Sequence, residues 1–245
     1  MKGALLPVEP IRRRKLSEEV ADQLQAMMLN DQLKPGQSLP SERALMTMFG
    51  VGRSSVREAL YSLQRMGLVS LKNGEPACVT RPSAKALVGE LSGAVAHILA
   101  DPQGARELQQ ARTLYEILLV RYAAQHATTE DIAQLRAALE RNEKALGNLA
   151  EFAKTDVAFH QVLAEIPKNS IFTSLQAALS SWLAEQRHVS LRVRDAAQDA
   201  YDAHRAIYEA VAAHDPDAAE HAMNRHLDHV GDFYWRARED AAPGA

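Results

Sequence analysis

The chain has 245 residues, 47% of them in the broad hydrophobic class and 24% charged, an ordinary globular composition with enough material for one large domain or two smaller ones. No apolar run approaches the roughly 20 residues a membrane helix needs, and the basic cluster near the start follows a short apolar stretch, the reverse of a signal peptide. The single cysteine, Cys78, excludes an intrachain disulfide and an all-cysteine metal site, so a cytoplasmic location is expected.

The net charge of −3 conceals an asymmetry. Residues 1–85 carry 13 Lys+Arg against 8 Asp+Glu, whereas the remainder carries 15 against 23. A basic first third on an acidic body points to nucleic acid at one end only.

In chain order, residues 1–14 form a basic arm, with the run Arg12-Arg13-Arg14 continuing into Lys15. A solvated charged tail and a DNA-backbone arm both fit it. Ser17 reads as the N-cap of a first helix, with Glu18 and Glu19 in its first turn and Val20, Leu24, Met27 and Met28 at helical spacing. After the Pro35-Gly36 break, a second short helix starts at Ser41 and stops at Gly50. A third is predicted over 54–66, with Val56, Leu60 and Leu63 on one face and Gly67 closing it. The apolar runs 68–71 and 77–79, separated by the turn pair Asn73-Gly74, predict a β-hairpin. Three helices and a hairpin make a winged helix-turn-helix over residues 15–80, whose third helix enters the major groove.

Arg53 and Arg57, four residues apart, project from that helix away from its apolar stripe. Arginine makes bidentate contacts to guanine edges and phosphates. Ser54 and Ser55 lie at the helix N-terminus, where hydroxyls and free N–H groups suit a phosphate. Arg43, early on the second helix, is expected to reach the DNA backbone or groove mouth. Leu-Pro-Ser-Glu-Arg (39–43), Gly52-Arg53-Ser54-Ser55-Val56-Arg57-Glu58-Ala59-Leu60 and Gly67-Leu68-Val69 resemble the GntR family of bacterial regulators. The resemblance implies that Arg43, Arg53 and Arg57 contact DNA and that the turn Asn73-Gly74 lies in the minor groove. Glu75 follows the glycine at the wing tip, where a basic residue is expected, and Lys72 is the available substitute.

Beyond Arg81-Pro82-Ser83 everything reads as helix, over about 83–100, 104–126, 129–146, 149–165, 169–188, 196–213 and 216–238. The expected fold is therefore mainly α, with an antiparallel all-helical bundle of about seven helices following the head. Residues 81–104 supply the linker and first bundle helix, 105–238 the main domain, and 239–245 a disordered tail. Asp156 and His160 share one helix face, and His204 and His226 lie on two later helices. One carboxylate and three imidazoles from three helices can converge inside a bundle, and such a set suits zinc, nickel or manganese. On spacing alone, histidines satisfied within the core fit as well.

Residues 105–235 resemble the FCD-type effector domain of the FadR-type GntR subfamily, through Arg112-x-x-x-Glu116, Asp156-x-x-x-His160, Ala203-His204 and Met223-x-x-His226-Leu227. The resemblance implies that Asp156, His160, His204 and His226 bind a divalent metal, zinc first, and that Arg112 holds the carboxylate of a small effector completing its coordination. An i,i+4 salt bridge from Arg112 to Glu116 is an equal reading of that arginine. Segments including Gly-Glu-Leu-Ser-Gly (89–93), Leu-Val-Arg-Tyr-Ala-Ala (119–124) and His-Asp-Pro-Asp (214–217) resemble the branch of the subfamily that governs sialic acid catabolism. The implied protein is a homodimeric, ligand-responsive regulator of operator DNA, a repressor rather than an enzyme, with a sugar acid such as N-acetylneuraminate as effector. A DNA-binding regulator with a purely structural metal and a metal-dependent hydrolase are the alternatives.

Overall fold

Three helices open the computed structural model, which describes residues 14–72 and 74–241. They are α1 (Leu16–Leu29), α2 (Glu42–Phe49) and α3 (Arg53–Arg65). Two-residue strands β1 (Val69–Ser70) and β2 (Cys78–Val79) follow, paired antiparallel with Val69 opposite Val79 and Ser70 opposite Cys78. The chain divides after Leu87 into two units.

In the first unit, Val20 and Leu24 of α1, Leu45 of α2, Val56, Leu60 and Leu63 of α3, and Val69 and Val79 of the strands form one core. Burying each such side chain is worth about 1.5–3 kcal/mol against leaving it exposed, and this core fixes α3 against its neighbours. Ser41 caps α2, accepting from the Ala44 N–H at 3.2 Å, and Gly50 closes it in the left-handed region. One expectation needs correction. Ser17 is buried inside the first turn of α1, whose N-cap is the extended Lys15, because the helix begins two residues earlier than expected. In the hairpin connection Gly74 stands at φ 81° and the Glu75 N–H donates to the Lys72 carbonyl. Arg12, Arg13 and Asn73 lie outside the described residues.

Helices α4 (Ala84–Gly89), α5 (Ser92–Leu99), α6 (Pro102–His126), α7 (Thr129–Lys144), α8 (Leu149–Glu165), α9 (Ser170–Trp182), α10 (Ala184–Ser190), α11 (Ala196–Ala212) and α12 (Pro216–Ala241) complete the chain. Two predicted long helices are each broken in two. The segment 83–100 breaks around Glu90, and 169–188 breaks at Leu183, where the Ser180 carbonyl is taken up by Nη1 of Arg187 at 3.1 Å. The last helix reaches Ala241, past the expected 238. Pro216 sits in the first turn of α12 and Thr128 and Asp131 form a reciprocal capping box on α7, whereas α6 starts at Pro102, two residues before the expected 104.

The second unit packs α6, α7, α8, α11 and α12 around Leu135, Phe152, Phe159, Leu163, Ile207, Val211 and Met223. Among the described residues no helix is long and apolar enough to cross a membrane.

Candidate functional site

Four buried side chains lie among those apolar residues in the second unit, and their placement follows from helix geometry. Asp156 and His160 lie one turn apart on the inner face of α8, His204 points in from α11 and His226 from α12. One ligand atom from each lies within 4.8 Å of the others. Nε2 of His160 is 3.2 Å from Nε2 of His226, and Nε2 of His204 is 3.6 Å from Oδ1 of Asp156. The last separation is too long for a hydrogen bond, so the fully buried His204 Nε2 has no partner. His221 and His229, the other histidines of α12, are exposed.

Outer contacts set which face of each ring looks inward. Nδ1 of His204 is 2.9 Å from the side-chain oxygen of Asn142, itself wholly buried on α7. That amide oxygen only accepts, so the His204 proton sits on Nδ1 and the Nε2 lone pair faces the cluster. Nδ1 of His160 lies against Glu116 Oε2, which directs the ring in the same way. Burial pushes the His204 imidazole down to about 3 and holds His226 well below the ordinary histidine value. Both rings are therefore neutral, the form that ligates a metal.

Around this centre lie two buried ion pairs. Nε of Arg112 donates to Glu116 Oε1 at 2.7 Å, and Nε of Arg187 on α10 stands 2.9 Å from Asp156 Oδ2. Burial pushes both carboxyls up, but the nearby His160 ring first, and then the arginine guanidiniums, outweigh it, leaving Glu116 well below and Asp156 below the ordinary range. Two small cavities, each ≈ 20 Å³, flank the arginines; one is also lined by Asp156, Ser190, His226 and Phe233. Each has room for about one water molecule. The residues fit a divalent cation: an orphaned nitrogen, two neutral imidazoles, a carboxylate and oriented outer partners are the donor set such an ion requires. Arg112 makes the expected pair with Glu116 and also borders both cavities. Sequence reasoning missed Arg187 and Asn142. Single polar residues inside a helix carry no periodic signal, and only their burial marks them.

In the first unit, Arg53 opens α3, Ser54 and Arg57 are exposed on it and Ser55 is half-buried. Arg43 is exposed on α2, and Lys72 and Gly74 on the wing connection, where Lys72 stands 3.7 Å from Glu75. Arg57, Tyr61, Gln64, Lys72 and Gly74 border one cleft of ≈ 660 Å³ between α3 and that connection.

Residues 16–79 match the family of bacterial regulatory proteins described as the gntR family, and residues 107–229 match the FCD domain. The curated proteins include the HTH-type transcriptional repressor NanR of Escherichia coli, 46% identical over 230 residues, covering 93% of this chain and 88% of that protein. NanR of Salmonella newport is 46% identical over 231 residues, with the same coverage. Among solved structures, a Streptococcus agalactiae GntR protein aligns at a TM-score of 0.60 and 26% identity, covering 87% of this chain and 98% of that one. McbR/YncC of E. coli, at 0.52 and 17% identity over 92% of this chain and all of that one, shares the fold.

Proposed function

Because the chain belongs to the GntR family of bacterial regulatory proteins, in the group whose second domain is an FCD domain, we propose that it is a cytoplasmic transcriptional repressor that reads operator DNA with α3 and responds to a small anionic effector at a metal centre. The exposed face of α3 supports the first part. Arg53 and Arg57 point off the core stripe, with Ser54 at the free N–H groups of the first turn and Arg43 on the adjoining helix. Lys72 and the Asn73-Gly74 turn add the wing contact. A single head reads a short half-site, so two copies on a symmetric operator are the natural arrangement. Leu114, Leu118 and Tyr122, exposed by 60%, 69% and 41% at successive turns of α6, offer an apolar stripe for the second copy.

The observation that carries the effector reading is the charge balance around Asp156, His160, His204 and His226. Arg112 cancels Glu116 and Arg187 cancels Asp156, while His204 and His226 are neutral. A divalent ion, zinc first and nickel or manganese next, supplies there a Lewis-acidic point of attachment. It also leaves two positive charges that nothing in the buried cluster neutralises. A small carboxylate or sugar acid such as N-acetylneuraminate neutralises part of that excess, and Arg112 is shaped to grip a carboxylate. A sugar acid is far larger than the ≈ 20 Å³ cavities, so its entry moves α10 or the turn preceding α11. The narrowness of these cavities favours one second reading, an ion that only braces the bundle.

A thermal melt of zinc-loaded and chelator-stripped protein, each with and without N-acetylneuraminate, tests this. Ligand at about 100 times its dissociation constant adds roughly 2.7 kcal/mol to native stability. A rise confined to the zinc-loaded protein is expected. Stabilisation by zinc with no response to carboxylates leaves the bracing ion, and indifference to both refutes the metal centre.

A further inference from the structure

A carboxylate stands in the face that meets DNA. Glu42, the first residue of α2, reaches across to α3, where its Oε2 accepts from Nε of Arg53 at 3.0 Å and its Oε1 lies 3.8 Å from Nε of Arg57. Arg57 is held from its other side as well: Nη2 donates to the Tyr61 hydroxyl at 3.0 Å, and its guanidinium carbon lies 5.8 Å from the Tyr61 ring centre. Tyr61 is half exposed, and both it and Glu42 border the cleft between α3 and the wing connection. Arg53, Glu42, Arg57 and Tyr61 thus form one continuous chain of contacts on the outer surface of the head.

For a surface that approaches a polyanion, a negative charge there has the wrong sign. It repels every phosphate, whatever the sequence. What it does locally is take up the Nε–H of Arg53 and lie beside that of Arg57. That contact engages the Nε–H of Arg53 and not the terminal nitrogens of its planar fork, and it restrains the two guanidiniums relative to each other. Arginine side chains lose considerable rotamer freedom on binding, and less if they are already restrained. Pre-orientation favours the one base edge that matches the fork; it does nothing for unspecific phosphate contact, which an unrestrained arginine makes equally well.

We infer that Glu42 is a positioning residue that fixes Arg53 and Arg57 for base reading, weakening binding to DNA in general while sharpening the choice of operator. The inference rests on the reading of α3 as the DNA-contacting helix. Tyr61 acts with it as the second restraint on Arg57.

The full-length chain is first used to select a duplex from a randomised library. Binding of that duplex and of a scrambled duplex of equal length and composition is then followed by fluorescence anisotropy at several salt concentrations. For Glu42→Ala, binding to the scrambled duplex tightens severalfold while binding to the selected one does not, so their ratio falls by the same severalfold factor. Glu42→Gln retains an acceptor and falls between the wild type and Glu42→Ala. Combined with Arg53→Ala, Glu42→Ala loses much less discrimination than it does alone. Unchanged melts confirm that all three variants fold. A discrimination ratio unmoved in folded Glu42→Ala overturns the inference, as does an equal loss on both duplexes, the sign of a merely structural carboxylate. Loss of preference at a base pair whose selection Arg53→Ala and Arg57→Ala leave intact also overturns it, making Glu42 a direct reader of that base. A library that yields no enriched sequence refutes the DNA reading itself and takes this inference with it.

Discussion

Asn142→Ala probes the metal centre without touching a ligand. Asn142 is wholly buried, and its side-chain oxygen is the acceptor for Nδ1 of His204 at 2.9 Å. Its amide nitrogen donates to the Thr155 hydroxyl at 3.0 Å, but that hydroxyl keeps its own bonds to the Phe152 and Glu151 carbonyls. The substitution therefore strands one donor, the His204 N–H, which costs about 1–3 kcal/mol. The small void adds a fraction of a kcal/mol at about 24 cal/mol per Å³. Metal-free protein should lose about 1–4 kcal/mol, at roughly 2–4 °C in Tm for each. The freed ring then samples both tautomers, so zinc affinity, read by chelator competition, should fall about 10–100-fold. Asn142→Asp restores the acceptor and should recover much of the zinc affinity. If Asn142→Ala loses stability but binds zinc as the wild type does, ring orientation by Asn142 is irrelevant and the account of the site is wrong.

Three further predictions concern the scaffold. A Cβ on Gly104 would stand 2.3 Å from the Ile98 carbonyl oxygen and 2.8 Å from its side chain, so Gly104→Ala forces α5 away from the start of α6. It should destabilise by about 1–3 kcal/mol despite alanine's better helix propensity; an unchanged denaturation midpoint would refute that contact. Burial pushes the Asp131 carboxyl up, but the Lys168 ammonium at 2.6 Å and the Thr128 hydroxyl and N–H hold it below the usual aspartate range. Its stabilising contribution is present above the unfolded aspartate value, about pH 4, and is lost as the pH falls through the folded one. Asp131→Asn should therefore lower the melt at pH 7 and lose that deficit on acidification, and a deficit independent of pH would contradict the sign. Leu118→Glu should convert a dimer to a monomer in sedimentation without lowering the melt of the monomer, and a persistent dimer would place the interface elsewhere.

Much of the fold was legible because it follows from local rules. The stripe Val56, Leu60 and Leu63 and the stop at Gly67 placed α3 to within a residue, and Thr128 and Pro216 stand at real starts. The break at Leu183 was not legible, since no glycine or proline signals it and the Arg187 side chain satisfies the Ser180 carbonyl there. The candidate site was legible only in part. Asp156 and His160 share a face by spacing, but nothing in spacing says that His204 and His226 arrive at the same point; resemblance to a family supplied that step. Arg187 and Asn142 were invisible because a lone polar residue on a helix reads as surface until its burial is known.

The four clustered side chains come from three helices, and His160 and His226 are 66 positions apart along the chain. With an ion bound, those helices are tied as by a removable cross-link, which closes long loops and raises the free energy of opening the domain. Proteases cut the opened form, in proportion to its population when opening is fast. The lifetime of the chain in a cell, and not only its occupancy of DNA, would then depend on metal supply. A starved cell would clear its regulator by turnover, relieving repression even with no effector present.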